Sequence, residues 1–356
     1  KDEPAVQGDL MYAMGRANLG LGLYREAADI LTKARDRQAI ANVEPLRLHE
    51  TDIALATVEY ERMENARAEQ LFGGVVQSLA NGAVDRRSRL VLAAALTGMA
   101  DVKARREEDD AAIAIYRSTL KDLDNNGLQN SEEFARASLG LARPLMFTGD
   151  FEGAIAALNT AREVFQSVRG QDDIWISIAE NDLANVFYLQ QDVAQAADHY
   201  RRALAVQRIQ LGDRHPETAI TKNNLARMLL EQGQLSDAYT LLSEAIETQR
   251  QFSHDKNADF AFYLNTMGVI EAERGNFAAS IGALREALSL AGDNGHRLFG
   301  PIEYNLGRAL CGQGDVEAGL KAVREGRRAL SAHYPAGDGR YAEADPFLRE
   351  VLEIRR

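Results

Sequence analysis

The sequence has 356 residues, of which 46% are hydrophobic and 26% are charged, so the chain is long enough to bury a sizeable core. Its 41 basic and 53 acidic side chains give a net charge of -12, which repels a phosphate backbone and argues against nucleic acid as a partner. The richest apolar run, 90–100, is far shorter than the roughly 20 residues of a membrane helix, so we predict no membrane insertion within this chain.

The single cysteine and the first residue bear on processing and compartment. Cys311 has no second cysteine to pair with, which excludes an internal disulfide but leaves the redox compartment open. The chain opens at Lys1 without an initiating methionine or an apolar leader, so we expect a fragment or a processed product with any anchor upstream. The composition does not predict the oligomeric state.

A large apolar residue followed by a small one recurs along the chain at intervals close to 42 residues. The small members, called here the register residues, are Gly15, Ala56, Ala100, Ala142, Ala184, Ala226, Gly268 and Gly307. Twelve residues after each comes another small residue, and four further on a bulky one, namely Leu31, Phe72, Tyr116, Leu158, Tyr200, Leu242, Leu284 and Val323. Eight copies in one register predict an array of repeats.

Each copy is predicted to be a helix hairpin. The small residues let two antiparallel helices approach closely, and the bulky residues fill the gap to the next pair. One hairpin cannot bury its apolar face, so neighbouring hairpins must stack into an all-α solenoid, here a single domain with a C-terminal capping helix. In chain order the predicted hairpins are 5–40, 46–82, 88–123, 132–168, 174–210, 216–252, 258–291 and 298–333, and the terminal helix is 340–355.

The turn inside each hairpin has its own signal. A glycine, which accepts the left-handed backbone that closes a helix, stands there as Gly22, Gly149, Gly233, Gly275 and Gly314. Met63 and Glu107 replace it in the second and third hairpins, so we expect longer or reshaped turns there. Near the C-terminus, Asp345 can cap a helix with Pro346 in its first turn. That segment either closes the apolar end of the stack or is a truncated repeat.

The junction between the third and fourth hairpins, DLDNNGLQNSEEF, matches the calcium-loop pattern of an EF-hand. The candidate ligands are the side chains of Asp122, Asp124, Asn126 and Glu133 and the carbonyl of Leu128. A solvated connecting loop would contain the same polar residues. Lys121, Gln129 and the lack of a second loop favour that reading. Calcium therefore stays a candidate cofactor, and the sequence predicts no other.

Catalytic signatures are missing elsewhere in the sequence. The six histidines have no partner at metal-ligand spacing, and His215 belongs to a His-Pro loop for which a structural role is favoured. The sequence has no Ser/His/Asp arrangement and no phosphate-binding loop. We therefore predict a protein without enzymatic activity, and an enzyme with a dispersed site is the least supported alternative.

Two stretches carry a family resemblance. Residues 211–238, LGDRHPETAITKNNLARMLLEQGQLSDA, resemble a tetratricopeptide repeat of the 42-residue subtype found in kinesin light chains, and the likeness covers nearly the whole chain. It implies a right-handed superhelix. The opening, DEPAVQGDLMYAMGRANLGLGLYREAADIL, is similar to the start of the repeat region in bacterial transmembrane serine/threonine protein kinases. That resemblance implies a signalling sensor domain on the periplasmic, extracytoplasmic side of the inner membrane. Without that resemblance we would expect the protein in the cytoplasm.

The tetratricopeptide resemblance also implies a groove, formed by the first helix of every hairpin, that holds an extended protein segment. Amides and cations would bind the backbone and carboxylates of that segment, and apolar side chains would add contact. The candidate residues are Asn181, Asn185, Tyr188, Ile220, Asn223, Asn224, Arg227, Phe262, Asn265 and Arg308. Alternatively, the asparagines bond between adjacent helices and the arginines pair with the acidic surface. The predicted function is protein or peptide binding, and the alternative is a receptor for a small ligand or a short signalling peptide.

Overall fold

The structure is a computed structural model and describes residues 3–80, 82, 84–252, 258–292 and 298–333. These residues form sixteen α-helices and contain no β-strand, which confirms the all-α prediction. The helices are α1 Pro4–Gly20, α2 Tyr24–Ile40, α3 Pro45–Glu61, α4 Asn65–Leu79, α5 Arg86–Arg105, α6 Asp109–Asn125, α7 Glu132–Thr148, α8 Phe151–Arg169, α9 Ile174–Leu189, α10 Val193–Gln210, α11 Pro216–Glu231, α12 Leu235–Phe252, α13 Ala258–Glu273, α14 Phe277–Ala291, α15 Phe299–Gln313 and α16 Val316–His333. The predicted terminal helix, 340–355, with Asp345 and Pro346, lies outside the described residues.

The chain divides into two compact units, and the boundary between Val186 and Phe187 falls within α9. In the first unit the hairpins are α1/α2, α3/α4, α5/α6 and α7/α8. In the second they are α11/α12, α13/α14 and α15/α16. Each hairpin also packs against the next through its second helix, as α4 does with α5 and α12 with α13. A single continuous array stays a prediction.

The predicted register of small and bulky residues is what packs the helices. A Cβ atom added at Gly268 would lie 2.4 Å from Cγ of Leu284, across the α13/α14 hairpin. A Cβ atom added at Gly98 would lie 2.3 Å from the Phe72 ring, on the preceding hairpin. The bulky residues are accordingly buried, from 0% exposure at Leu31 to 4% at Val323. Bulky side chains therefore fill the space between hairpins, as predicted, and also the space within them.

All the hairpin turns close in the same way, including those without glycine. In the glycine turn at Gly233, the Gln234 N–H donates to the Leu229 carbonyl at 2.8 Å. The turn at Met63 has the equivalent bond, in which the Glu64 N–H donates to the Glu59 carbonyl at 2.9 Å. Met63 and Glu107 adopt the left-handed backbone themselves, with φ of 65° and 61°. The expectation of reshaped turns was wrong, because an L-residue accepts this conformation at a steric cost.

The loop between α10 and α11 is held by a buried lysine. Lys222 on α11 is 1% exposed, and its Nζ donates to the carbonyl oxygen of Asp213 at 3.1 Å. The same ammonium lies 2.9 Å from the carboxylates of both Asp213 and Glu244. His215 caps α11, because its Nδ1 accepts from the Glu217 N–H at 3.2 Å. The structural role favoured for His215 is thus observed.

Candidate functional site

Three register positions place side chains on one face of every first helix. They lie three residues before, two residues before and one residue after the register residue. Positions three or four apart are neighbours on a helix surface. The candidate groove residues occupy these positions or lie about one turn from them, so the helical register brings them into columns.

In the second unit, Arg227 lies between two aromatic rings. Its guanidinium carbon is 5.1 Å from the ring centroid of Tyr188 and 5.1 Å from that of Phe262. Its Nη2 donates to the Tyr188 hydroxyl at 2.9 Å. All three side chains are half-buried. One of five guanidinium N–H donors is used in this contact, and the rings hold the remaining donors in a fixed plane.

The asparagines beside Arg227 differ in exposure. Asn223 is 1% exposed, and its Nδ2 donates to Oδ1 of Asn224 at 3.3 Å. Its side chain is therefore not open to a partner, contrary to the exposed position that we expected. Asn224 is half-buried, and Ile220, one turn earlier, is 42% exposed. Of the four candidates on α11, Ile220, Asn224 and Arg227 are accessible, and their role in binding stays a prediction.

Further along the second unit the polar residues bond between adjacent first helices. Asn305 Nδ2 on α15 donates to Oδ1 of Asn265 on α13 at 2.9 Å. Arg308 Nη2 lies 3.5 Å from a carboxylate oxygen of Glu273. For Asn265 and Arg308 the alternative interpretation, contacts between helices and with acidic residues, thus describes the observed geometry.

The two candidates that fall in the first unit are on α9. Asn181 is half-buried, and its Oδ1 accepts no hydrogen bond from the described residues. Asn185 is also half-buried and donates to the carboxylate of Asp182. Asp182, to which Asn185 donates, lines a cavity that the sequence patterns did not indicate.

This cavity, called here the unit 1 groove, lies among the first helices α3, α5, α7 and α9. Two connected spaces of ≈ 240 Å³ and ≈ 190 Å³ share the walls Tyr60, Thr97, Asp101, Arg136 and Trp175. Glu61 and Glu133 line the smaller space, and Arg143 and Asp182 line the larger one. Tyr116 closes the larger space and donates its hydroxyl to the carboxylate of Asp101.

The carboxyl groups of the unit 1 groove are desolvated. Burial raises the pKa of Asp101 to about 6, although the Tyr116 hydrogen bond and nearby arginines act in the opposite direction. Burial likewise raises the pKa of Asp182 to about 6, against the hydrogen bond from Asn185 and the charge of Arg143. The pKa of Glu133 is also raised by burial. A groove that destabilises its own carboxylates is suited to a ligand that compensates their charge.

The register contains a signal for this groove that the sequence analysis did not use. Thr97 occupies the position of Asn181 and Asn223, and Asp101 occupies that of Arg143 and Arg227. Tyr60 shares the register position of Tyr188, and each ring carries an arginine. The guanidinium carbon of Arg105 is 3.2 Å from the Tyr60 ring centroid. Comparing positions, instead of searching for amides and cations, would have found the unit 1 groove.

The geometry of the 122–133 stretch does not fit a calcium-binding loop. Asp122 and Asp124 lie within α6, two residues apart, and such side chains point to different faces of a helix. Asp122 binds Arg89 at 3.1 Å, and Ser131 donates to the Leu128 carbonyl at 2.7 Å. In the part of the chain that the structure describes, no three His, Cys, Asp or Glu side chains are placed to hold a metal ion. Asn126 and Glu133 accordingly belong to a connecting loop and the first turn of α7.

Among the described helices, none combines the length and the apolar character needed to cross a bilayer.

Comparisons with known proteins identify the repeats. The tetratricopeptide repeat family matches residues 133–209, 175–251 and 217–293. The apo form of RapI is similar in structure, with a TM-score of 0.71 and 13% identity over 98% of this chain and 91% of RapI. BtubC (BKLC) from P. vanneervenii has a TM-score of 0.54 and 16% identity over 64% of this chain and 90% of its own. At these identities the likeness concerns the fold alone.

The sequence has no match among curated proteins. The family match nevertheless covers the hairpins that carry the arginine between two rings, and the helical register extends the same pattern to the other hairpins. Residues 133–293 are therefore tetratricopeptide repeats.

Proposed function

We propose that this protein binds an extended segment of a partner protein on the face formed by its first helices and catalyses no reaction. Tetratricopeptide repeats are protein-binding scaffolds, and the proposal assigns the contact surface. The observation that carries it is Arg227, held between Tyr188 and Phe262. A guanidinium fixed in this way loses little conformational entropy when its free N–H donors bind backbone carbonyls or carboxylates.

Apolar contact beside the arginine supports the proposal. Ile220 is 42% exposed one helical turn before Asn224, and the Phe262 ring is half-buried on the next first helix. Bound segments gain specificity from such apolar pockets and affinity from polar bonds to the backbone. We therefore assign recognition in the second unit to Ile220, Asn224, Arg227 and Phe262.

The test uses peptides selected from a random library displayed on phage, with their affinities measured by fluorescence anisotropy. We expect Arg227→Ala to weaken the binding of the selected peptides by about 5- to 150-fold, because charge-assisted bonds contribute about 1–3 kcal/mol. Arg201→Ala is the matched control, since Arg201 is an exposed arginine on α10 that pairs with Asp198 at 2.7 Å. Failure to enrich any peptide, or equal affinity for both variants, would refute the proposed function.

The resemblance of the opening residues extends the proposal to a role in signalling. A repeat domain that binds a protein segment would serve as the extracytoplasmic sensor of a bacterial membrane serine/threonine kinase. The coding sequence upstream of Lys1 is the direct test. We expect it to encode a kinase domain followed by about 20 apolar residues, and an open reading frame without them would remove the sensor role.

A further inference from the structure

The unit 1 groove contains more negative than positive charge. Four carboxylates line it, on Glu61, Asp101, Glu133 and Asp182, and two guanidiniums, on Arg136 and Arg143. None of the four carboxylates forms an ion pair with any described residue, whereas neighbouring Glu132 binds both Arg136 and Arg169. Many surface charges of this chain form ion pairs, whereas the four carboxylates of this groove have nearby arginines but no ion pair among the described residues.

The nearby arginines are engaged elsewhere. Arg136 has its guanidinium carbon 4.6 Å from the Trp175 ring centroid and donates to Glu132 at 3.1 Å. Arg105 stacks on Tyr60 and donates to the Tyr60 carbonyl. Arg143 lies over the Phe147 ring at 5.6 Å. Because the protein's own cations are held on aromatic rings, they leave the carboxylates for an external partner.

The groove also contains a buried hydroxyl group that has no partner in the described part of the chain. Thr97 is 8% exposed, lines both spaces of the groove, and its Oγ1 has no hydrogen-bond partner among the described residues. Other helical threonines bond back to their own helix, as Thr57 does to the Ile53 carbonyl and Thr119 to the Ile115 carbonyl, both at 2.9 Å. Thr97 stands one turn before Asp101, so its free oxygen and that carboxylate can accept from one donor.

We propose that the unit 1 groove binds a basic side chain, lysine or arginine, of the partner segment, with Asp101, Asp182, Glu133 and Thr97 as acceptors. The inference rests on the proposed function and adds a charge requirement to it. An ammonium or guanidinium group carries several donors and no acceptor, which matches a site of carboxylates and one hydroxyl. The Tyr60 and Trp175 rings provide apolar walls for the methylene stem.

The affinity of the groove depends on pH in a defined direction. Asp101 is faced by Tyr60 and Glu61 on α3, Arg105 on its own helix, Tyr116 on α6 and Arg136 on α7. Asp182 is faced by Asn185 and Arg143. Since the pKa of each aspartate is about 6, both lose charge as the pH falls through 6. Binding of a cation must weaken over that interval.

The chain itself provides the readout, because Trp175 is its only tryptophan and lines the groove. The probes are the blocked tripeptides Gly-Lys-Gly, Gly-Arg-Gly and Gly-Glu-Gly, titrated into the intact protein while Trp175 emission is recorded. We expect a saturable change with the lysine or the arginine probe and none with the glutamate probe. The two basic probes show which cation the groove prefers.

Matched variants identify the acceptors. We expect Asp101→Asn to weaken the basic probe about 10-fold or more and Thr97→Val about 5-fold. Asp198→Asn, an exposed acidic residue on α10, is the control and should change nothing. Lowering the pH from about 7.5 to about 5 should weaken binding about 10-fold in the parent and less in the Asp101 variant.

Two outcomes would overturn the inference: no saturable response to either basic probe, or an unchanged affinity in the Asp101 variant. Its failure is distinguishable from failure of the proposed function. Selected peptides that need Arg227 but are indifferent to Asp101→Asn would refute the groove and leave the proposed function intact. If no peptide is selected while the basic probe binds, the proposed function fails and the cation site remains.

Discussion

A non-glycine residue in the left-handed backbone region carries a steric cost of about 1–2 kcal/mol, and Glu107 adopts that conformation with φ of 61°. Glycine stands at the equivalent position in five other hairpins, where φ lies between 73° at Gly22 and 101° at Gly314. The hydrogen bond that follows is kept, from Glu108 N–H to the Lys103 carbonyl at 3.0 Å. The strain is therefore confined to one residue and does not change the turn.

Glu107→Gly should raise the free energy of unfolding by about 0.5–1 kcal/mol. The gain is smaller than the full steric cost, because glycine also stabilises the unfolded chain through its greater backbone freedom. Urea denaturation of the two proteins measures it. Glu107→Ala, which removes the charge but keeps a Cβ atom, is the control. A gain as large in that variant would attribute the effect to charge.

At the scale of the element, Lys222 joins a helix to the loop that precedes it. The Lys222 ammonium contacts the Asp213 carboxylate in the loop and the Glu244 carboxylate on α12. The lysine itself is only 1% exposed. The side chains of its two acidic partners are 51% and 44% exposed, so water can hydrate them when the cation is lost. Loss of the Lys222 side chain should consequently disturb the conformation of the loop more than it destabilises the fold.

Lys222→Ala is expected to lower the free energy of unfolding by about 1–3 kcal/mol, and Lys222→Met by less than about 1 kcal/mol. Methionine retains most of the buried volume, whereas alanine adds a cavity. Both variants should speed amide hydrogen exchange in 211–215, because both remove the bond to the Asp213 carbonyl. Unchanged exchange in the loop for both variants, with a loss of stability in the alanine variant alone, would mean that the lysine contributes only by packing.

The helices and their packing faces were predictable because close approach of two helices requires small and bulky residues at fixed spacings. Gly268 and Leu284 are sixteen residues apart in sequence and meet across one hairpin, so the pattern determines which helix faces pack. Amide orientation has no such signature. Asn223 and Asn224 are adjacent on α11, yet one is buried and the other half-buried. Only the packing of neighbouring helices decides which of them reaches the groove.

The unit 1 groove was missed for a related reason. Most of its walls come from four first helices, and no local motif connects Tyr60, Asp101 and Trp175 in the sequence. The calcium interpretation was wrong for the opposite reason. The local motif was complete, but its first residues belong to the helix α6 and not to a loop. In a repeat protein, equivalent positions along the array carry more information about a site than residues that are close in sequence.

At the scale of the whole molecule, the acidic groove imposes a cost on folding at neutral pH. The folded pKa of Asp101 is about 6, well above the value of about 3.9 in an unfolded chain. The native state thus keeps a proton that the unfolded state has released, and stability falls as the pH rises between about 4 and 6. The cost persists above that interval, and a bound cation would offset it.

Asp101→Asn should therefore increase stability by on the order of 1–2 kcal/mol at about pH 8, and the gain should disappear below about pH 4. Asparagine can still accept the Tyr116 hydrogen bond, so packing is preserved. Urea denaturation across the pH range measures the difference. A variant that folds better but binds the basic probe more weakly cannot be explained by misfolding. A gain that is independent of pH would contradict the argument.

The common closure of the hairpin turns has a practical consequence. At Gly149 the turn is exposed, and the Asp150 N–H donates to the Leu145 carbonyl at 2.9 Å, so the bend is completed by main-chain bonds. None of the residues assigned to recognition lies in it. Exposed turns of this kind tolerate insertions and new termini. A fluorescent tag spliced in at this turn would replace none of the residues assigned to recognition, so the tagged protein could serve as an optical reporter of its own partner.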